Sequence, residues 1–149
     1  SPTKEPEAFR SWLKLVFSEQ HKHHIGEGYG ACPLSRFAGL LTYRYLVLYG
    51  KDFEKASKGI ASEDGLKDFA VKANLLNHVI RMETLNEDFG KLMQRVGVSI
   101  EETEAAIVKN PGKTNASERE AYQRYYDAET RELIGQRDRF IVETHGYAF

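Results

Sequence analysis

Residues 77–83, NHVIRME, read as a β-strand centred on Val79 and Ile80, in a chain whose other signals are helical. This segment constrains the fold more than any other. A strand alone leaves its backbone N–H and C=O groups unpaired. A chain with one strand, predicted here at 77–82, therefore either conceals others or completes a sheet supplied by another piece of polypeptide. The strand runs into Thr84-Leu85-Asn86-Glu87, a Thr-x-x-Glu capping box, and a helix to Val96 that Gly97 stops. Strand, tight turn and capped helix make half of a βαβ unit, which points to a helix-rich α/β class.

The rest of the chain is read from helix starts and stops. Pro6 suits a first helical turn, and Phe9, Leu13, Val16 and Phe17 follow at helical spacing, predicting a helix over 6–20. Pro33 or Leu34 opens a second helix that Gly50 ends; it is apolar on most faces and is expected to be buried, with Arg36 and Arg44 needing partners. A shorter helix is expected from Ser62 to about Ala73. Ser99-Ile100-Glu101-Glu102 and Ser117-Glu118-Arg119-Glu120 are further capping boxes, the first starting a helix to about Lys109. Asp127 is expected to cap a last helix, with Leu133, Ile134, Arg137, Phe140, Ile141 and Thr144 on one stripe and Gly146 at its end.

Composition bounds the function. A length of 149 residues suits one domain or sub-domain with a real core. The formal net charge of −1 argues against a duplex nucleic-acid binder, though it leaves room for a local basic pocket. No apolar run approaches the ~20 residues of a membrane span, and the polar start SPTKEPEAFR has no signal-peptide core. Cys32 is the only cysteine and forms no disulfide within the chain, which fits a reducing, cytoplasmic compartment.

Four local features carry candidate chemistry. The stretch HKHHIGEGYGACPLSR, residues 21–36, holds His21, His23 and His24, glycines at 26, 28 and 30, Cys32 and Arg36. A structural zinc site needs four ligands and Cys32 is the lone thiolate, so no metal is expected. The histidines are then solvated groups at a helix end or contacts for an anionic substrate. Gly26-x-Gly28-x-x-Ala31 matches a dinucleotide fingerprint in form only, because a helix precedes it where a strand should; a loop needing positive φ is the plain alternative. Tyr43, Tyr45 and Tyr49 read as packing. The loop KNPGKTNASER places Lys109, Lys113 and Arg119 among hydroxyl and amide groups before a capped helix start, which is either a phosphate site or an ordinary capped turn.

The second half resembles a known family. Arg81-Met82-Glu83-Thr84-Leu85, then KTNASERE, then Tyr126-Asp127-Ala128-Glu129-Thr130 and the closing Gly146-Tyr147-Ala148-Phe149 look like the C-terminal portion of sulfotransferases that use 3′-phosphoadenosine 5′-phosphosulfate. The resemblance covers residues ~77–149, and its order and spacing carry it; GYGACPLSRFAGLLTYRYL more faintly resembles the acceptor-side segment of bacterial members. It implies the C-terminal part of a parallel-sheet, P-loop-type fold, with residues 1–76 as a helical acceptor-side segment and 77–149 as a strand–helix and nucleotide-closing segment. Carried over by position, Lys113, Asn115, Ser117 and Arg119 would contact the adenosine 3′-phosphate, although Lys-Thr-Asn departs from the family's commoner Asn-Lys-Ser/Thr order. The family's glycine- and lysine-rich loop after an N-terminal strand, and its Arg…Ser pair, have no counterpart here. The chain therefore reads as the C-terminal half of such an enzyme, inactive alone, with the missing half or another chain as partner.

The implied activity is transfer of a sulfuryl group to a hydroxyl or amine on a small-molecule or carbohydrate acceptor. It needs in-line positioning, anion neutralisation and a base, and no metal. His23 or His24 is the candidate base, and His24 and Arg36 are candidates to hold the acceptor. The alternative is a non-catalytic interaction domain or a decayed paralogue without the cofactor loop.

Overall fold

The computed structural model describes residues 5–99, 101 and 121–148. Among these are seven α-helices: α1 Pro6–Phe17, α2 Leu40–Tyr49, α3 Phe53–Ala56, α4 Glu63–Ala73, α5 Leu85–Arg95, α6 Ala128–Arg137 and α7 Arg139–His145. The chain divides into two compact units, one of Ser1–Leu75 with Arg119–Phe149 and one of Leu76–Glu118.

The expected α/β class with a parallel sheet is corrected by the structure, which is helix-rich with no strand or sheet among the described residues. Residues 77–81 join no ladder, and Met82 already belongs to a 3-10 turn, Met82–Thr84. Val79 and Ile80 favour extended backbone, and Arg81 is extended (φ −86°, ψ 141°). A β-branched pair sets only the backbone preference, however, while a strand is made by its partner. Among the described residues the pairing is an isolated antiparallel bridge between Gly50 and Asn74.

In the first unit, α1 buries Leu13 and Val16 and ends at Phe17, where Ser18 turns extended, three residues short of the expected 20. Its other side lies on the segment before α6. Phe9 meets Tyr125 and Tyr126 edge-on at 5.8 and 5.2 Å, Arg10 donates to the Tyr125 and Arg124 carbonyls at 3.1 and 2.9 Å, and Lys14 pairs with Glu129 at 2.6 Å. The core gathers Val16, Tyr29, Leu34, Leu40, Leu46 and Phe53 around α2. Each large apolar side chain so buried is worth roughly 1.5–3 kcal/mol.

The second expected helix is two pieces. A 3-10 turn, Pro33–Arg36, is followed by Phe37–Gly39 and then by α2. The break falls where Gly39 meets Asp138: a Cβ on Gly39 would stand 2.3 Å from the Asp138 carboxyl. Nor is α2 buried on most faces. Leu41, Val47 and Leu48 face solvent, Leu48 at 65% exposure. The last helix is likewise broken, into α6 and α7, at Asp138 (φ −105°, ψ 27°).

Several start and stop signals hold. Ser62 accepts the Gly65 N–H at 3.1 Å and starts α4. Asp127 and Thr130 cap α6 reciprocally, Asp127 Oδ1 accepting the Thr130 N–H at 2.8 Å and Thr130 Oγ1 the Asp127 N–H at 3.0 Å. Gly146, in the left-handed region at φ 63°, ends α7.

In the second unit α5 follows the 3-10 turn, but Thr84 does not cap it. Its hydroxyl donates to Asp88, and Glu87 pairs with Lys91, so both halves of the expected box are engaged one turn further on. Ile100 and Glu102 of the first box, the rest of the expected helix to Lys109 and the whole Ser117–Glu120 box fall on residues outside those described.

Candidate functional site

The segment 26–34, α2 and the turn through α3 enclose a cleft of about 640 Å3. Its shape starts from three residues in left-handed backbone. Glu27 (φ 57°) and Gly28 (φ 80°) carry the loop over α2, and Asp52 (φ 56°) reverses the chain into α3. The expectation of positive φ in the glycine loop is met at Gly26 and Gly28. At Gly28 space also matters, since a Cβ would lie 3.2 Å from the Tyr43 hydroxyl. Non-glycine residues in this region are strained, and strain of this kind collects at functional sites.

Tyr43 is the floor. Its hydroxyl donates to the Glu27 carbonyl, and its ring packs against Tyr29 at 5.6 Å and Phe53 at 5.8 Å. Burial, with Cys32, Glu27 and Glu54 nearby, pushes its pKa up, so the hydroxyl keeps its proton. One rim is Glu27, whose carboxylate takes Arg44 Nε at 2.8 Å and Nη2 at 2.7 Å. These bonds hold the Glu27 carboxyl below the usual carboxylate range and raise the Arg44 pKa. Asp52, Glu54, Lys55 and Lys58 also line the cleft, while Cys32, Pro33 and Val47 supply apolar surface. The Ser57 hydroxyl is turned to the Glu54 carbonyl at 3.0 Å. With Glu27 paired to Arg44, the lining keeps two carboxylates, Asp52 and Glu54, and two ammonium groups, Lys55 and Lys58. Such a lining holds hydroxyl or amine groups by hydrogen bonds and has no net attraction for an anion.

The sequence candidates lie elsewhere. His21, His23 and His24 are exposed on and beside the 3-10 turn Lys22–Ile25 and do not line the cleft. His21 Nδ1 is 3.0 Å from the Ser18 hydroxyl, and the His21 and His24 rings stand 6.3 Å apart. The Arg36 side chain is exposed and outside the cleft, and its carbonyl accepts Arg137 Nη1 at 3.0 Å. Among the described residues no group of three His, Cys, Asp or Glu side chains is placed to hold a metal ion. Lys113, Asn115, Ser117 and Arg119 lie outside the described residues.

Sequence reasoning missed Glu27, Asp52, Glu54, Lys55 and Lys58. The one local signal was Gly50-Lys51-Asp52, a turn after α2; that it faces the 26–34 loop is a tertiary fact. Arg137, at the end of α6, anchors the 29–36 segment, part of which lines the cleft. It donates to the carbonyls of Ser35 and Arg36 and, at 3.4 Å, toward the Tyr29 hydroxyl, and it lies 5.6 Å from the centre of the Phe17 ring.

No protein-family model matches the chain, and no curated protein or solved structure matches it. Among the described residues no helix is long and apolar enough to cross a membrane.

Proposed function

We propose that the chain is part of an enzyme that transfers a sulfuryl group from 3′-phosphoadenosine 5′-phosphosulfate to a hydroxyl or amine acceptor, and that the 27–58 cleft receives the acceptor. The observation that carries this reading is the ordered run of Arg81-x-Glu83-x-Leu85, Tyr126-Asp127-x-Glu129-Thr130 and Gly146-Tyr147-x-Phe149, with its sulfotransferase resemblance. The cleft supports it by lying on the segment with the acceptor-side resemblance, lined by groups suited to a hydroxyl or amine. Asp52 and Glu54 hold the acceptor there, and one of them takes its proton as the acceptor oxygen or nitrogen bonds to sulfur and the sulfur–oxygen bond to the departing 3′-phosphoadenosine 5′-phosphate breaks, the role first sought at His23 and His24. The lone Cys32 supports a cytoplasmic setting.

The decisive measurement is calorimetric titration of 3′-phosphoadenosine 5′-phosphate into the protein made from its whole reading frame. Lys113→Ala removes a charge-assisted contact worth roughly 1.5–3 kcal/mol, so affinity falls about 10- to 100-fold. Affinity for the analogue without a 3′-phosphate stays unchanged. Equal losses for both nucleotides, or no binding of either, reject the reading.

A second reading, a non-catalytic interaction domain, is favoured by one observation: Leu41, Val47 and Leu48 stand exposed on α2. Self-association or partner capture abolished by Leu48→Lys, in a protein that binds neither nucleotide, would establish it.

A further inference from the structure

Four charged side chains that line the 27–58 cleft, Asp52, Glu54, Lys55 and Lys58, have neither a hydrogen-bond nor an ion-pair partner among the described residues. All four are exposed. Their neighbours in the cleft are engaged. Glu27 holds Arg44, the Tyr43 hydroxyl donates to the Glu27 carbonyl, and the Ser57 hydroxyl donates to the Glu54 carbonyl at 3.0 Å. A space of about 640 Å3 is thus left with two negative and two positive groups open to a ligand.

Their spacing in sequence would let these charges pair with one another. Glu54 and Lys58 stand four residues apart in the favoured order, and Asp52 and Lys55 three apart. The same spacings do pair elsewhere in the chain, Glu87 with Lys91 and Glu19 with Lys22 at 2.8 Å. The local backbone accounts for the difference. α3 ends at Ala56 and gives way to a 3-10 turn, Ser57–Gly59, so Lys58 leaves the helical register of Glu54. Asp52 precedes the helix in left-handed backbone (φ 56°), out of register with Lys55. The helix that brings Tyr43 and Val47 to the cleft is also fixed at its start. Asp138 Oδ1 accepts the Thr42 N–H at 2.8 Å, doing for α2, with Gly39 in its cap position, what an N-cap side chain does.

A ligand of one sign would gain two attractions here and meet two repulsions. A neutral ligand would leave all four charges to water. A ligand that carries both signs gives each group its opposite, through charge-assisted hydrogen bonds. We propose that the ligand of this cleft is a zwitterion: a small hydroxylated molecule whose ammonium group is held by Asp52 and Glu54 and whose phosphate, sulfate or carboxylate is held by Lys55 and Lys58. Its carbon frame lies against Pro33, Tyr43 and Val47. This names the acceptor class and rests on the reading of the cleft as the acceptor site.

The test is a titration of the intact chain, with no nucleotide present, followed by NMR amide shifts. The probes are glucosamine 6-phosphate, which carries both signs, and glucosamine, glucose 6-phosphate and glucose, which lack one or both. Glucosamine 6-phosphate is expected to shift cleft residues and to bind at least about fivefold more tightly than each of the other three. In Asp52→Asn with Glu54→Gln its advantage over glucose 6-phosphate is expected to vanish, and in Lys55→Gln with Lys58→Gln its advantage over glucosamine. All four positions are exposed, and asparagine tolerates left-handed backbone, so these variants keep the fold. A smaller advantage over any of the three probes, one that survives both double substitutions, or no cleft shifts at about 10 mM glucosamine 6-phosphate overturns the proposal. Failure of the sulfotransferase reading shows separately, as absent binding of 3′-phosphoadenosine 5′-phosphate, which this titration does not contain.

Discussion

Gly39 and Asp138 pack so closely that any side chain on Gly39 would overlap the carboxyl group, its Cβ falling 2.3 Å from Cγ and both oxygens. Gly39 itself has an ordinary extended backbone (φ −83°, ψ 173°), so the requirement for glycine here is spatial and not conformational. Gly39→Ala therefore tests the contact alone. It should lower stability by about 2–4 kcal/mol in urea unfolding, through overpacking together with the lost cap on α2. A loss below about 0.5 kcal/mol would show that the contact relaxes freely.

Arg137 makes a different demand. Its fork reaches two carbonyls and faces a hydroxyl in the 29–36 segment at once. Lysine keeps the charge but has no planar fork, so Arg137→Lys is expected to cost about 2–3 kcal/mol by the same measurement. A nearly silent Arg137→Lys would mean that charge alone suffices.

The acid limb of stability should belong in part to Asp127. The Thr130 N–H and hydroxyl, and then Arg10, hold its carboxyl below the usual aspartate range. A lowered pKa contributes stability that is present above the unfolded value and lost as pH falls through the folded one. The melting temperature of wild type should therefore drop below about pH 4, and Asp127→Asn should flatten that drop.

Asp52 separates strain from service. Its left-handed backbone costs a non-glycine residue of the order of 1 kcal/mol, so Asp52→Gly should raise stability by about 0.5–1 kcal/mol. If the carboxylate holds an acceptor, the same change should raise the acceptor KM by about tenfold or more and leave the donor KM alone. Higher stability with unchanged kinetics would remove Asp52 from the site.

Signals that act within a turn were readable. Ser62, Asp127 and Gly146 do their work on neighbours a few residues away, and each marks the helix end expected of it. Thr84 shows the limit of that logic, since Asp88 offered its hydroxyl a better partner than the backbone did. The breaks at 37–39 and at 138 had no local cue, because each is caused by the other across 96 or more residues. Val79 and Ile80 announced an extended backbone and could not announce a partner. The cleft was half legible: the glycine loop was marked, while Glu27 and Asp52 adopt backbone that their residue types seldom take.

The Arg137–Asp138 dipeptide imposes an order in time. The loop and helix it secures, residues 29–42, leave the ribosome long before it does. Until then α2 has a bare amino end and the 29–36 loop has no clamp, so the cleft sets late. A nascent chain carries it open, in reach of chaperones, while the 96 residues from Thr42 to Asp138 are made.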